Sequence, residues 1–226
     1  MCIRDSVMES QQFILGPEVF AFEKEIASYL GVKYAVGVAS GTDALVLSLK
    51  ALGIGPGDEV LTSVYSFFSS AGVISWIGAK PVFVDIEENG FNMDPGQIVS
   101  KITKRTKAIL PVHLFGEPVQ MNEFIQIAKE ENLYLVEDAC QAFGAEFAGK
   151  KIGGFSEFTG FSFYPTKVLG GFGDGGLAVT NSEQLYQRLI ELRVHSARGS
   201  EDRKTIGINS RLDVIQCAVL RVKLKY

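Results

Sequence analysis

The sequence has few of the features that are typical of membrane proteins, secreted proteins or nucleic-acid-binding proteins. Its 226 residues include no run approaching the ~18 consecutive apolar residues of a membrane span, and the N-terminus lacks the charged-then-apolar order of a signal peptide. The 22 basic and 26 acidic residues give a net charge of −4, without a long run of either sign. This balance argues against a nucleic-acid partner recognised through phosphate charge.

Cysteine and histidine are also scarce, and their spacing argues against several kinds of site. The three cysteines, Cys2, Cys140 and Cys217, have neither zinc-site nor disulfide-scaffold spacing, so we expect a reducing, cytoplasmic location. The two histidines, His113 and His195, show no metal-ligand spacing and no pairing with a cysteine or a serine elbow. We therefore expect structural roles for both histidines and no metal site.

The remaining composition, with 46% hydrophobic and 21% charged residues, is typical of a globular protein. Short apolar strands without alternation are separated by segments of helical periodicity. Strands are predicted at 33–38, 58–62, 81–85, 107–112, 133–138, 158–163 and 176–180, and helices at 17–30, 44–52, 65–77, 94–103, 121–131, 182–195 and 209–225. The pattern predicts an α/β fold of three layers, a mostly parallel central sheet flanked by helices, with ligands at the carboxyl ends of the strands.

The chain shows no internal repeat, no low-complexity tract and no convincing linker, so one domain is expected. The opening MCIRDS has no periodicity, and the last predicted helix ends without a Gly, Pro or polar cap. We expect residues 1–8 to be a leader outside the fold. Residues 9–226 are then expected to form one domain of a longer protein.

The segment Ser40-Gly41-Thr42 lies where a predicted strand turns into a helix. The N-terminus of a helix favours an anion, because its first N–H groups have no intrahelical partner and the helix dipole is positive there. The alternative is an ordinary helix cap without a ligand.

The pair Glu137-Asp138 ends a strand that is otherwise apolar. It places a carboxylate at the edge of the sheet where ligands are expected, and a carboxylate there requires a cationic partner. The alternative is that Asp138 caps the next turn.

The segment FSFYPTKVLGGFGDGG, residues 161–176, contains Lys167 in a Pro-containing turn between an aromatic strand and a glycine cluster. Small residues there would let a ligand approach the backbone closely. An isolated lysine is more often a solvated surface residue. The glycines at 171–176 resemble a dinucleotide-binding loop, but they precede a strand instead of opening a helix, so they are interpreted as a turn.

The sequence resembles the DegT/DnrJ/EryC1/StrS family of nucleotide-sugar aminotransferases in five ordered motifs, SGTDAL, TSVYSFFSS, VEDACQAFGA, FSFYPTKVLGGFGDGG and GINSRLDVIQCAVLRVKL. The match runs from about Phe13 to the last residue. It implies the large domain of a fold-type-I enzyme that uses pyridoxal 5′-phosphate (PLP). It also implies a cytoplasmic homodimer with active sites at the subunit interface, and a C-terminal small domain following Tyr226.

The resemblance implies roles for eight residues. Lys167 matches the family's lysine that carries PLP as a Schiff base, and Asp138 matches the carboxylate that pairs with the pyridine nitrogen. The others match contacts to the cofactor: Gly41, Thr42 and Ser162 at the phosphate, Phe67 stacked on the ring, Gln141 beside the phenolic oxygen, and Asn209 toward the phosphate of the neighbouring subunit. An aromatic residue such as Phe67 is otherwise more often part of a core.

The implied activity is transfer of an amino group, from L-glutamate, to a keto group of a nucleotide-linked sugar. The C-terminal segment GINSRLD is similar to the corresponding segment of family members that aminate C3 of the sugar. A sugar dehydratase of the same family, which uses pyridoxamine phosphate (PMP), is one alternative, but those relatives replace the lysine with histidine. A non-enzymatic regulatory or sensor module is the other, and the intact Lys167 and Asp138 argue against it.

Overall fold

The computed structural model describes residues 3–196 and 206–226. In these ranges the helices are α1 Ile3–Ser10, α2 Pro17–Leu30, α3 Gly41–Ala51, α4 Phe68–Trp76, α5 Met121–Glu130, α6 Glu183–Leu192 and α7 Val214–Lys223. The strands are β1 Tyr34–Val38, β2 Glu59–Ser63, β3 Lys80–Val84, β4 Thr106–Leu110, β5 Tyr134–Asp138, β6 Glu146–Phe147, β7 Lys150–Lys151, β8 Phe158–Ser162 and β9 Gly176–Thr180.

Seven strands form one sheet in the order β1-β9-β8-β5-β4-β2-β3, while β6 and β7 form a separate antiparallel hairpin. Strand β9 runs antiparallel to both of its neighbours, and the other pairs of the large sheet are parallel. The carboxyl ends of the six co-directional strands therefore share one edge of the sheet. The predicted mostly parallel α/β fold is confirmed.

Successive strand residues alternate between two hydrophobic cores, one on each face of the sheet. On β4, Ala108 and Leu110 belong to one cluster and Ile109 to the other. Helices α2, α5 and α7 cover the face that carries Ile109, and α3, α4 and α6 cover the face that carries Ala108 and Leu110. This arrangement explains why the strands carry continuous apolar runs, since both faces of the sheet are buried.

Several predicted helices differ from the structure in extent or type. The helix predicted at 94–103 is wrong, because the segment forms two 3-10 turns at Pro95–Gln97 and Val99–Lys101. The Asp94 side chain accepts a hydrogen bond from Gly96 N at 2.8 Å, which caps a tight turn. The helix predicted at 65–77 begins only at Phe68, because the backbone of Phe67 is extended.

The N-terminal residues are more ordered than the sequence indicated. Residues Ile3–Ser10 form α1, and Val7 is 4% exposed within the core cluster that α2 and α7 share. The expected boundary after residue 8 therefore falls inside α1, which packs on the core through Val7. In the described ranges, no helix is long and apolar enough to cross a membrane.

Candidate active site

A cavity of about 460 Å³ opens at the carboxyl edge of the parallel strands. It is lined by residues that follow β1, β5 and β8 and by the start of α4, namely Ser40, Gly41, Thr42, Leu45, Ser66, Phe67, Ser69, Val112, Asp138, Cys140, Gln141, Ser162, Tyr164, Thr166, Lys167, Asp174 and Gly175. Seven of the eight residues proposed from the sequence are in this lining. The exception is Asn209.

A larger depression of about 760 Å³ lies elsewhere, where β2, β4 and β5 begin. It contains none of the proposed site residues, and it lies at the amino ends of the strands. In open parallel sheets ligands bind outside the carboxyl ends of the strands. We therefore take the smaller cavity as the candidate active site.

The segment Ser40-Gly41-Thr42 begins helix α3 and combines a helix cap with an anion-binding position. Ser40 Oγ accepts a hydrogen bond from Asp43 N at 3.0 Å, which is the expected cap. The N–H groups of the first turn have no intrahelical acceptors, and Thr42 Oγ1 lies 2.7 Å from Ser69 Oγ. Capping by Ser40 therefore does not compete with an anion bound at Gly41 and Thr42.

Gly41 is required by the close packing of this turn. A Cβ added at Gly41 would lie 2.6 Å from Cys140 Sγ and 2.8 Å from Ser162 Cβ. Both neighbours line the same cavity. A larger residue would push the α3 N-terminus away from the strand ends, so the glycine brings the helix dipole close to the site.

Asp138 is the last residue of β5 and is only 5% exposed. Its Oδ2 accepts a hydrogen bond from Ser70 Oγ at 2.7 Å, and its Oδ1 accepts one from Cys140 N at 3.1 Å. The second bond is the cap that the sequence left as an alternative. Because both donors are neutral, the buried charge still favours a cationic group in the cavity.

Cys140 lies beside this carboxylate. Burial, and then the negative charge of Asp138, raise the pKa of the Cys140 thiol well above its usual range. The thiol therefore stays protonated near neutral pH and is a poor nucleophile. Lys167 remains the candidate nucleophile at this end of the cavity.

Lys167 lies in the connection between β8 and β9 and lines the same cavity as Asp138. Its backbone N–H donates to Tyr164 O at 2.8 Å, which fixes the turn around Pro165. Two residues further on, Leu169 is 5% exposed and belongs to the hydrophobic core. Lys167 therefore lies between a closed turn and a buried anchor, unlike a freely solvated surface lysine.

Three further predicted residues line the cavity with different polar or apolar groups. Phe67 precedes α4 and is 70% exposed, so it is not part of a core. Gln141 Oε1 accepts a hydrogen bond from Phe115 N at 3.0 Å, which leaves its Nε2 as a donor. Ser162 ends β8, and its Oγ accepts from Tyr164 N at 3.3 Å while its hydroxyl hydrogen stays available.

Asn209 is exposed and lies outside the cavity lining, where it forms an antiparallel bridge with Val194. The next residue, Ser210, is buried and donates to Asp43 Oδ2 at 2.6 Å. Ser210 Oγ also accepts from Ala39 N at 3.1 Å. This segment is therefore attached to the start of α3, and the role of Asn209 at a neighbouring subunit stays a prediction.

Sequence reasoning missed the serines of the TSVYSFFSS segment. Ser70 donates to Asp138, Ser69 contacts Thr42, and Ser66 Oγ lies 3.0 Å from Ser70 Oγ. Positions 66 and 70 are four residues apart, so both serines would lie on one face of the helix predicted at 65–77. This four-residue spacing is the sequence feature from which a shared polar role of these serines could have been predicted.

Glu137 and His113 form a separate buried network behind the site. Glu137 Oε2 lies 3.0 Å from His113 Nε2, and His113 Nδ1 accepts from Val119 N at 3.1 Å. Glu137 Oε1 accepts from Thr159 Oγ1 at 2.8 Å. Every polar atom of both side chains has a partner, so His113 has the structural role expected of it.

An amine, a buried carboxylate, an exposed aromatic ring and an anion-binding helix N-terminus meet at one cavity of a largely parallel sheet. These groups fit a cofactor that carries an aldehyde, a basic ring nitrogen and a phosphate, and Gly41 provides close backbone approach to the last of these. This fold, with these groups at the carboxyl edge of its sheet, resembles that of the fold-type-I aminotransferases.

The chain belongs to the DegT/DnrJ/EryC1/StrS aminotransferase family, whose model matches residues 4–226. It is 45% identical over 226 residues to a pleiotropic regulatory protein of Geobacillus stearothermophilus, covering 100% of this chain and 61% of the relative. It is 46% identical over 220 residues to the dTDP-3-amino-3,4,6-trideoxy-alpha-D-glucose transaminase of Streptomyces venezuelae, covering 97% of this chain and 58% of that protein.

The chain is also similar to solved structures over nearly its whole length. The crystal structure of S. venezuelae DesV in complex with a ketimine intermediate matches with a TM-score of 0.95 at 46% identity, covering 99% of this chain and 60% of that one. The structure of NtdA from Bacillus subtilis with bound PMP matches with a TM-score of 0.91 at 35% identity, covering 99% and 52%. The chain thus spans from 52% to 61% of the length of these four proteins.

Proposed function

We propose that the protein is a PLP-dependent aminotransferase that moves an amino group from L-glutamate to a keto group of a nucleotide-linked sugar. The observation that carries the proposal is the meeting of Lys167, Asp138 and the N-terminus of α3 at one cavity. A structural lysine or an ordinary helix cap accounts for one of these features but not for their combination. The described residues form the cofactor-binding part of that enzyme.

PLP is the cofactor that these residues suit. The first turn of α3, with Gly41, Thr42 and Ser162, offers N–H and hydroxyl groups to a phosphate. Phe67 offers an exposed ring for stacking, which typically contributes about 1 kcal/mol beyond burial. Gln141 Nε2 offers a donor to a phenolic oxygen. The PMP bound to the Bacillus subtilis relative agrees with this assignment.

The proposed roles of Asp138 and Lys167 differ because their side chains differ in charge and nucleophilicity. PLP, when bound, supplies the electron sink for cleavage at the amino-bearing carbon. Asp138 holds a proton on the pyridine nitrogen by ion pairing, which neutral or apolar side chains would not do. Lys167 Nζ would hold the cofactor covalently as a nucleophile. When not so bound, the same amine would move a proton at the substrate carbon as a general base and acid.

The substrate assignment rests on the relatives. The Streptomyces venezuelae relative is named as a transaminase that forms a 3-amino sugar linked to dTDP. The GINSRLD segment of this chain is similar to relatives that aminate C3. We therefore propose a 3-keto sugar linked to a nucleotide as the acceptor.

We also propose a cytoplasmic homodimer with shared active sites. Large apolar side chains are exposed in the segments that supply the cavity lining: Phe67, which lines the cavity, and Phe68 and Phe172, which are close to lining residues in the chain, are 70%, 83% and 79% exposed. Apolar patches of this kind are typical of protein interfaces. The described cysteines, Cys140 and Cys217, are both free, which agrees with a reducing compartment.

A regulatory or sensor role is the second candidate, because the Geobacillus stearothermophilus relative is named a pleiotropic regulatory protein. A regulator needs no proton carrier, whereas the cavity retains Lys167 beside a buried Asp138. The dehydratase alternative requires histidine in place of that lysine. The retained pair therefore favours the aminotransferase.

A spectroscopic titration separates these candidates. The complete protein with PLP is expected to show the visible absorption of lysine-bound cofactor, and L-glutamate is expected to abolish it within one half-reaction. Keto-sugar nucleotides then restore the absorption, and NMR assigns the aminated carbon of the product. Lysine-bound absorption that L-glutamate leaves unchanged would exclude the proposed donor, and no lysine-bound absorption at all would favour the regulatory role.

Ser70→Ala is expected to weaken catalysis without unfolding the protein. The substitution removes the 2.7 Å hydrogen bond to Asp138 Oδ2, and a bond to a charged group is worth about 1.5–3 kcal/mol. We expect kcat to fall by about 10- to 100-fold. Ser75→Ala is the matched control, since Ser75 is exposed on the same helix. Equal kcat in the two variants would show that Ser70 does not support Asp138.

A further inference from the structure

The segment that follows Lys167 depends on contacts from outside itself. Between β8 and β9 the chain forms no regular element, and its backbone closes through Phe163 N to Gly175 O at 2.8 Å and Gly171 N to Phe163 O at 2.7 Å. We call residues 170–173 the glycine turn. Neither of these bonds involves Phe172, which is exposed within the glycine turn.

Gln216, on helix α7, contacts the glycine turn directly. Its Oε1 accepts a hydrogen bond from Phe172 N at 2.8 Å. A Cβ added at Gly171 would lie 2.8 Å from Gln216 Oε1, and one added at Gly173 would lie 2.8 Å from Gln216 Nε2. The amide of Gln216 therefore fills the space that the two missing side chains leave, which accounts for both glycines.

Helix α7 is a rigid support for this contact. Its inner face is buried in the core through Val214, Cys217, Ala218 and Leu220. The Arg221 guanidinium pairs with Glu25 of α2 at 2.6 Å, and Lys223 Nζ donates to Gly170 O. Two side chains of one anchored helix thus bind the glycine turn, at Gly170 and at Phe172.

Side-chain burial contributes little to the position of the turn. Phe172 is 79% exposed and Val168 is 74% exposed, so only Leu169 anchors this part of the chain in the core. Hydrogen bonds from α7 therefore add to the restraint that Leu169 and the backbone bonds of Phe163 provide. Gln216 itself is absent from the cavity lining, so it acts on the site only through the segment it holds.

We propose that Gln216 is a positioning residue for Lys167. By holding the glycine turn it fixes the backbone from which the Lys167 amine reaches the cavity. The inference rests on the proposed aminotransferase function. It adds a supporting role for α7, although no residue of this helix lines the cavity. A misplacement of about 1 Å at a reacting group typically costs up to about 100-fold in rate.

The test compares three variants of the complete protein. Gln216→Met keeps the length of the side chain and removes the acceptor, Gln216→Glu keeps an acceptor for Phe172 N, and Ile215→Ala changes an exposed neighbour on α7. Hydrogen exchange of the Phe172 amide is measured without PLP. With PLP, the pH midpoint of the lysine-bound absorption is measured together with kcat and KM.

We expect Gln216→Met to accelerate exchange at Phe172 by about tenfold, to shift the pH midpoint and to lower kcat by about 10- to 100-fold with little change in KM. Gln216→Glu is expected to keep most of the wild-type value of each of these quantities, because its side chain retains an acceptor for Phe172 N. Ile215→Ala is expected to resemble the wild type. Faster exchange with an unchanged pH midpoint and kcat would overturn the inference. A wild type without lysine-bound absorption would instead overturn the proposed function, and this inference with it.

Discussion

Lys167→Ala is expected to abolish covalent attachment of PLP and to lower transamination by at least about 10²- to 10⁴-fold, the usual contribution of a positioned general acid or base. Lys167 is the lysine that lines the cavity with Asp138, and the neighbouring Cys140 thiol is held protonated by burial and by the Asp138 charge, which raise its pKa. Borohydride reduction followed by peptide mapping measures attachment, and single-turnover kinetics measure the chemistry.

Two further variants separate the roles of charge and nucleophilicity. Lys167→Arg keeps a cation in the cavity, but a guanidinium does not lose its proton in a protein, so this variant should be as inactive as alanine. Lys104→Ala is the matched control, because Lys104 is exposed in the connection that precedes β4. PLP attached to a different peptide, or wild-type kinetics in Lys167→Ala, would refute the assignment.

The strands and most helices were predictable because each leaves a strong local signal. Buried parallel strands such as β4 and β5 are short apolar runs, and α2 has apolar residues at Val19, Phe22 and Ile26. The misassigned segments lack such signals. Residues 94–103 have enough apolar character for a helix, but Asp94 and Pro95 open tight turns instead.

The site was predictable to the extent that its residues follow strand ends. Asp138 and Ser162 are the last residues of β5 and β8, and Thr42 lies four residues after β1, so the topology brings them together at one edge of the sheet. Ser70 lies 68 residues from Asp138 in the chain, and only the tertiary fold, which brings the start of α4 to the end of β5, creates their hydrogen bond. Gln216 is likewise 44 residues from its partner Phe172. Partners of this kind carry no local pattern.

Asp138→Asn is expected to preserve much of the PLP binding and to remove most of the transamination. The amide has nearly the same shape, and its oxygen can still accept from Cys140 N, so the fold should persist. It loses the negative charge that holds a proton on the pyridine nitrogen. Breaking a buried ion pair costs about 3–5 kcal/mol, which corresponds to about 10²- to 10⁴-fold in rate.

The matched control for this charge is Asp85→Asn. Asp85 also follows a parallel strand at the same edge of the sheet, but it is exposed and lies outside the cavity lining. A PLP analogue methylated at the pyridine nitrogen keeps the positive charge without a proton, so it should restore part of the activity of Asp138→Asn. Full activity of Asp138→Asn with ordinary PLP would exclude the pairing role, because a neutral amide does not stabilise a buried cation as a carboxylate does.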